Sequence, residues 1–197
     1  MAVLVEAISA IIRRKAIHDK FVNGWEGFQG IVPNKTLCFD DDLARVGFMS
    51  PQDVQGFVYQ LQERGLAFLK NNKAQDIAVV DQQRGVTTEC EWLMFSHLNI
   101  NESGDKVAVC WLVSEERIQT AGIHMPPNWQ PGDKIKLATP EGWTYENSLS
   151  KQFKFVNNDG LNKDMIFLGR ENGLDVYLDL NTGKKLYEGG TSKVENS

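Results

Sequence analysis

The densest run of reactive side chains is Asp40-Asp41-Asp42, with a cation close by at Arg45. Adjacent carboxylates are oxygen ligands for hard divalent cations, and they also attract basic partners. Between two apolar runs, however, the same three residues make a turn, because Asp side chains bond backbone N–H groups further along the chain. Turn chemistry is the stronger reading, which leaves Asp40, Asp41 and Asp42 as secondary metal candidates. The cysteines (Cys38, Cys90, Cys110) and histidines (His18, His97, His124) are widely separated. There is no HExxH, no His pair at helical spacing and no CxxC, so a zinc site has no local signature. A Cys/His nucleophilic pair would need tertiary assembly, and nothing around these cysteines lowers a thiol pKa. Their odd number and apolar neighbours predict free, buried thiols. The sequence holds no GxSxG, no P-loop and no deaminase pattern. The stretch Asp179 to Gly183 has the letters of a calcium loop, but the glycine and the bidentate Glu miss the required offsets. No cofactor is expected.

Two other groups could bind rather than react. Residues Gly122 to Tyr145 carry His124, Trp129, Trp143 and Tyr145 on loops supported by Pro and Gly. Aromatic side chains on such loops offer large rigid area at low entropy cost. The alternative is that both indoles plug the end of a β-rich core. The second group is Asp81, Arg84, Glu91 and Trp92, around a polar stretch that reads as a boundary between halves. Strand ends at such a junction favour clefts.

Charge narrows the partner classes. The chain has 21 basic and 26 acidic residues, a net of −5. Residues 89–197 hold sixteen acidic against eleven basic side chains, so the whole excess lies in the second half. Without a basic cluster, neither nucleic acid nor an anionic membrane is expected as a partner. An acidic surface favours a basic protein partner or simply solubility. The early apolar run MAVLVEAISAII precedes its basic residues, the reverse of a signal peptide, so a cytoplasmic protein is expected.

The elements that must position these groups follow from periodicity. Ser50 is an N-cap, Pro51 stands at the first helical position, and Asp53 completes a capping-box pattern. Val54, Phe57, Val58 and Leu61 then form one apolar stripe, and Gly65 ends the helix. Gly56 interrupts this helix at a cost of about 1 kcal/mol, and a close neighbour there would explain it. Val3 to Ile12 is predicted as one buried strand, and Arg14 to Asn23 as a helix. The glycine-spaced segment from Gly24 to Gly30 is expected to be irregular. Strands are expected over 36–39, 43–48, 66–70 and 77–81. That order is the split βαβ pattern. Beyond it, hairpins are expected over 92–113 and 174–188, with a short strand over 135–138 and a half-buried strand around Phe153 and Phe155. Residues 161–169 read equally as a helical turn or a strand.

The expected architecture is therefore α+β. Residues 1–86 form a ferredoxin-like (βαββαβ) antiparallel sheet with two helices, residues 87–190 a β-rich half with long aromatic loops, and 191–197 a flexible tail. The general profile is similar to that of bacterial immunity and inhibitor proteins, and it carries no residues over. The expected function is non-catalytic binding of a protein partner through the acidic, aromatic-bearing second half. The alternative is a small-molecule-binding or hydrolase-like protein with its site in the cleft between halves. A homodimer joined through an open sheet edge is also possible on this pattern.

Overall fold

The computed structural model describes residues 1–101, 105–113, 119–120, 123–126, 129–152, 165–171, 174–179 and 181–189. In chain order, β1 (Ala2–Val5) and β2 (Ile8–Arg13) lead into α1 (Arg14–Lys20) and α2 (Gly24–Gln29). Next come β3 (Cys38–Phe39), β4 (Leu43–Phe48) and α3 (Pro51–Glu63). A small hairpin, β5 (Leu69–Lys70) and β6 (Lys73–Ala74), precedes β7 (Ile77–Asp81) and β8 (Gly85–Val86). Then follow β9 (Leu93–Asn99), β10 (Lys106–Leu112), the short pair β11 (Gln119–Thr120) and β12 (Ile123–His124), and β13 (Leu137–Ala138). A 3-10 turn at Tyr145–Asn147 and α4 (Leu149–Gln152) lead to β14 (Met165–Glu171), β15 (Leu174–Asp179) and β16 (Lys185–Gly189). The strand expected around Phe153 and the tail 191–197 lie outside the described residues.

The α+β class is what the structure has. Two larger sheets run β3-β4-β2-β7-β8 and β13-β1-β10-β9-β14-β15-β16. Every pairing in them is antiparallel except β1 with β13. Strand alternation assigns the faces of the five-stranded sheet. Ala10, Ile12, Val46 and Ile77 pack with Ile17, Phe57 and Leu61 of the helices. Ile11, Leu43, Ala78 and Val80 belong to the other core, with Leu4, Val109 and Trp111 of the seven-stranded sheet. The layers are helix, sheet, sheet. The five-stranded sheet is covered on both faces, which is why β4 is buried along its whole length.

Local signals held where they were self-contained. Ser50 accepts a hydrogen bond from the Asp53 N–H (3.2 Å) and donates its hydroxyl to the Asp53 carboxylate (2.8 Å). At the other end, Gly65 has φ +99. Its N–H donates to Gln62 O, and the Leu66 N–H donates to Leu61 O, the paired bonds of a Schellman end. β9–β10 and β15–β16 form at the expected hairpins.

Four expectations need correction. Val3 to Ile12 is two strands, which break at Glu6-Ala7 and enter different sheets. Ala7 has φ +50, a left-handed backbone that ends a strand and redirects it. Residues 66–70 do not join the main sheet. The Ala67 N–H donates to the Asp76 carboxylate (2.8 Å), and Gln75 N–H to Phe68 O, which folds the segment back as a hairpin. The glycine-spaced segment is helical, at α2. Its aromatic rings hold it: Trp25 packs on Phe28 (5.4 Å) and Phe39 (4.8 Å), with the Arg14 guanidinium over Trp25. Finally, Gly56 has no neighbour within 4 Å of where a Cβ would stand, so no close contact explains it.

Candidate functional site

Where the chain crosses from one sheet to the other, it forms the floor of a cleft of about 790 Å³. The floor holds Glu6, Ala7, Arg45 and Gly47. Gln52, Gly56 and Gln60, four residues apart on α3, form one wall. Pro140 to Trp143 and Leu149 stand on the other side. The open space beside Gly56 is this cleft.

Arg45 is the organising side chain. Alternation along β4 aims it at the face between the two sheets, where it is 2% exposed. Its Nε donates to Ser9 Oγ (2.9 Å), Nη2 to Glu6 O (2.8 Å) and Nη1 to Thr36 O (3.2 Å). Burial pulls its pKa down from the usual guanidinium range, opposed by Cys38 and Glu6. No ion pair reaches it among the described residues. The Glu6 carboxylate is turned to Ser150 instead, accepting from its N–H (3.1 Å) and hydroxyl (2.9 Å). A Cβ at Gly47 would lie 2.4 Å from Nη2, so glycine is what lets the guanidinium lie across its own strand.

Gln82 ties the floor to the second sheet. It is buried. Its Nε2 donates to Ser150 Oγ (3.2 Å), and its carbonyl lies 3.3 Å from His97 Nε2. Burial lowers the His97 pKa, keeping the ring neutral at physiological pH. The Trp143 side chain also lines the cleft, while its indole N–H is sealed from solvent without a hydrogen-bond partner among the described residues.

The sequence-derived candidates do not gather in one place. Trp129 is buried, and its indole N–H donates to Asp133 O (3.1 Å), closing a turn. Trp143 lines the cleft. Tyr145 is half-buried, and its pKa is raised by burial and by Asp105. The His124 backbone lies in β12; its side chain is outside the described set. Asp81 accepts from the Gln83 and Arg84 N–H groups (2.9 Å each), a turn closed on itself, with Arg84 exposed. Glu91 pairs with Lys73, and the Trp92 indole N–H donates to Ala74 O (3.1 Å).

Asp40, Asp41 and Asp42 line a second cavity of about 770 Å³, with Trp129 and Asp133. Asp40 Oδ1 accepts from the N–H groups of Asp42 (2.9 Å) and Leu43 (2.8 Å), as a turn aspartate does. Among the described residues, no three His, Cys, Asp or Glu side chains are placed to hold a metal ion. The cysteines are unpaired; Cys38 and Cys110 are buried and Cys90 half-buried. Burial raises all three thiol pKa values, that of Cys38 to about 11, so none is an activated nucleophile.

Sequence reasoning missed Glu6, Gln82 and Ser150 in this arrangement, and it named Arg45 only beside the aspartates. One signal was present. Arg45 and Gly47 interrupt an otherwise apolar strand, LARVGF, at alternate positions. A charge on the face of a strand buried on both sides needs buried partners. No family model, no curated protein and no solved structure matches this chain.

Proposed function

We propose that this is a non-catalytic binding protein whose ligand is a small molecule held in the cleft between α3 and the Pro140–Trp143 loop. One observation carries the reading: a cleft of about 790 Å³ between α3 and Pro140–Trp143 has largely apolar walls, with the buried Arg45 beneath it. Ligand sites are cavities of about 300–1,000 Å³ with apolar walls and a few fixed polar groups. Phe48, Phe57, Pro140 and Leu149 supply the walls here. A thermal-shift screen of metabolites against the wild-type chain and Gly56→Phe tests it. Gly56→Phe places a ring in the cleft without touching the floor. The expected hit raises the wild-type Tm by several degrees and leaves the variant unmoved. Such a ligand stabilises the fold by about 2.7 kcal/mol at one hundred times its Kd. A panel with no hit, or hits that ignore the substitution, rejects the reading.

A protein partner is the second reading. Leu186 and Tyr187 are exposed on β16, the last strand of the seven-stranded sheet, in the acidic half of the chain. Loss of a captured partner on Tyr187→Asp, with the cleft intact, supports it. For the fold, we read the five-stranded sheet as a ferredoxin-like unit. The order β7-β2-β4-β3, with helices between β2 and β3 and between β4 and β7, supports that reading.

A further inference from the structure

Resting on the second reading, in which β16 is the contact surface, we propose that its partner is a second copy of this chain, joined by antiparallel pairing of the two β16 strands about Leu186. β16 is the last strand of the seven-stranded sheet, and among the described residues no strand pairs with its outer edge. An edge strand offers a row of N–H and C=O groups to another strand. Here it also offers apolar area, because Leu186 is 39% exposed and Tyr187 54%.

The phase of the ladder fixes which backbone groups are offered. The Asp179 N–H donates to Lys184 O (3.0 Å), so the Lys184 backbone points toward β15. Alternation then turns the Leu186 backbone inward, opposite Tyr177, and leaves the N–H and C=O groups of Lys185 and Tyr187 on the outer edge. Two copies related by a two-fold axis pair so that one residue faces itself. An axis at Leu186 sets Leu186 against Leu186, Lys185 against Tyr187 and Lys184 against Glu188. The outward groups of Lys185 and Tyr187 then bond to each other across the axis, and a basic position meets an acidic one twice by symmetry. Apolar and opposite-charge pairs across strands select a register. An axis at Tyr187 keeps the ladder phase but sets Leu186 against Glu188 and forfeits the charge pair. The net charge of −5 opposes self-association, but residues 184–188 read Lys-Lys-Leu-Tyr-Glu, so that repulsion is not concentrated at the contact.

The test is sedimentation velocity of the full chain at concentrations reaching about 1 mM. It is run on wild type, Tyr187→Pro, Lys184→Glu, and Lys184→Glu combined with Glu188→Lys. Wild type is expected to pass from monomer to dimer as concentration rises. Tyr187→Pro removes an outward N–H and no bond to β15, so it should keep the wild-type circular dichroism and weaken the dimer at least about ten-fold. Lys184→Glu changes an exposed residue and should weaken the dimer several-fold, and adding Glu188→Lys should restore it. Wild type that stays monomeric throughout, or a dimer that Tyr187→Pro leaves intact, overturns the proposal. A loss on Lys184→Glu that Glu188→Lys does not restore overturns the register at Leu186. Capture of a different protein by a monomeric chain, lost on Tyr187→Asp, rejects self-pairing and keeps the second reading.

Discussion

Ala7 and Gln82 exchange two hydrogen bonds across the junction of the sheets. The Ala7 N–H donates to Gln82 Oε1 (2.8 Å), and the Gln82 N–H donates to Ala7 O (2.8 Å). Ala7 has φ +50, and Gln82 is 1% exposed. A strained backbone at the crossover is thus held by one buried amide, and that amide also donates to Ser150 in α4.

Gln82→Ala is expected to destabilise the fold by about 1–3 kcal/mol, because it removes the partners of the part-buried Ala7 N–H and the buried Ser150 hydroxyl. Ala7→Gly relieves backbone strain of roughly 1–2 kcal/mol, partly offset by glycine's unfolded-state entropy, and should be neutral to stabilising. Ala7→Val should destabilise, since a β-branched residue tolerates that φ least. Urea unfolding midpoints measure all three.

Arg45→Met removes the donor to the buried Ser9 hydroxyl and to the part-buried Thr36 carbonyl, at roughly 1–3 kcal/mol for a buried group, while the Glu6 carbonyl keeps the Ser9 hydroxyl (3.1 Å). The variant should unfold at markedly lower urea or fail to accumulate. Gly47→Ala tests the same geometry from the other side. Its Cβ would stand 2.4 Å from Nη2, so the guanidinium must move. The expected cost is about 1–3 kcal/mol, as for other overpacked sites. A Gly47→Ala protein with wild-type stability would contradict the packing described.

Asp40 separates hydrogen bonding from charge. Burial raises its pKa above the usual carboxylate value, opposed by the two N–H groups that it accepts. Its charged form is therefore a liability at neutral pH, while its Oδ1 is an asset. Asp40→Asn keeps the acceptor and is expected to be neutral or stabilising. Asp40→Ala loses both bonds and should cost about 1–2 kcal/mol. Thermal unfolding of the pair at pH 7 decides it.

The thiols predict an alkaline limit. An ordinary thiol titrates near 9.0, and Cys38 is pushed up to about 11. Cys90 and Cys110 move the same way. A group whose folded pKa is raised holds its proton more tightly when folded, so its stabilisation is complete below the unfolded pKa. It is lost as pH climbs from about 9 to 11. Stability should fall through that window, and Cys38→Ser should flatten part of the fall. His97, with its pKa lowered by burial, acts at the other end. Its contribution is present above 6.5 and is lost as pH falls below it.

What the chain's letters determined by themselves was local. The α3 helix could be read because its cap, its stripe and its left-handed end all lie within Ser50 to Leu66, and each needs only its neighbours in sequence. The same holds for the hairpins at 93–112 and 174–189, whose turns and alternation are short-range. Tertiary structure alone decided the break at Ala7, since a run of Val and Ile is equally content in one sheet or two until a residue 75 positions away offers its amide. It also decided the cleft. Glu6, Arg45, Gly56 and Trp143 are unremarkable one by one, and they acquire meaning only where packing excludes water and brings them to a single cavity. Burial, not residue type, turned a strand arginine into a charge in need of a partner, and burial is a property of the whole fold.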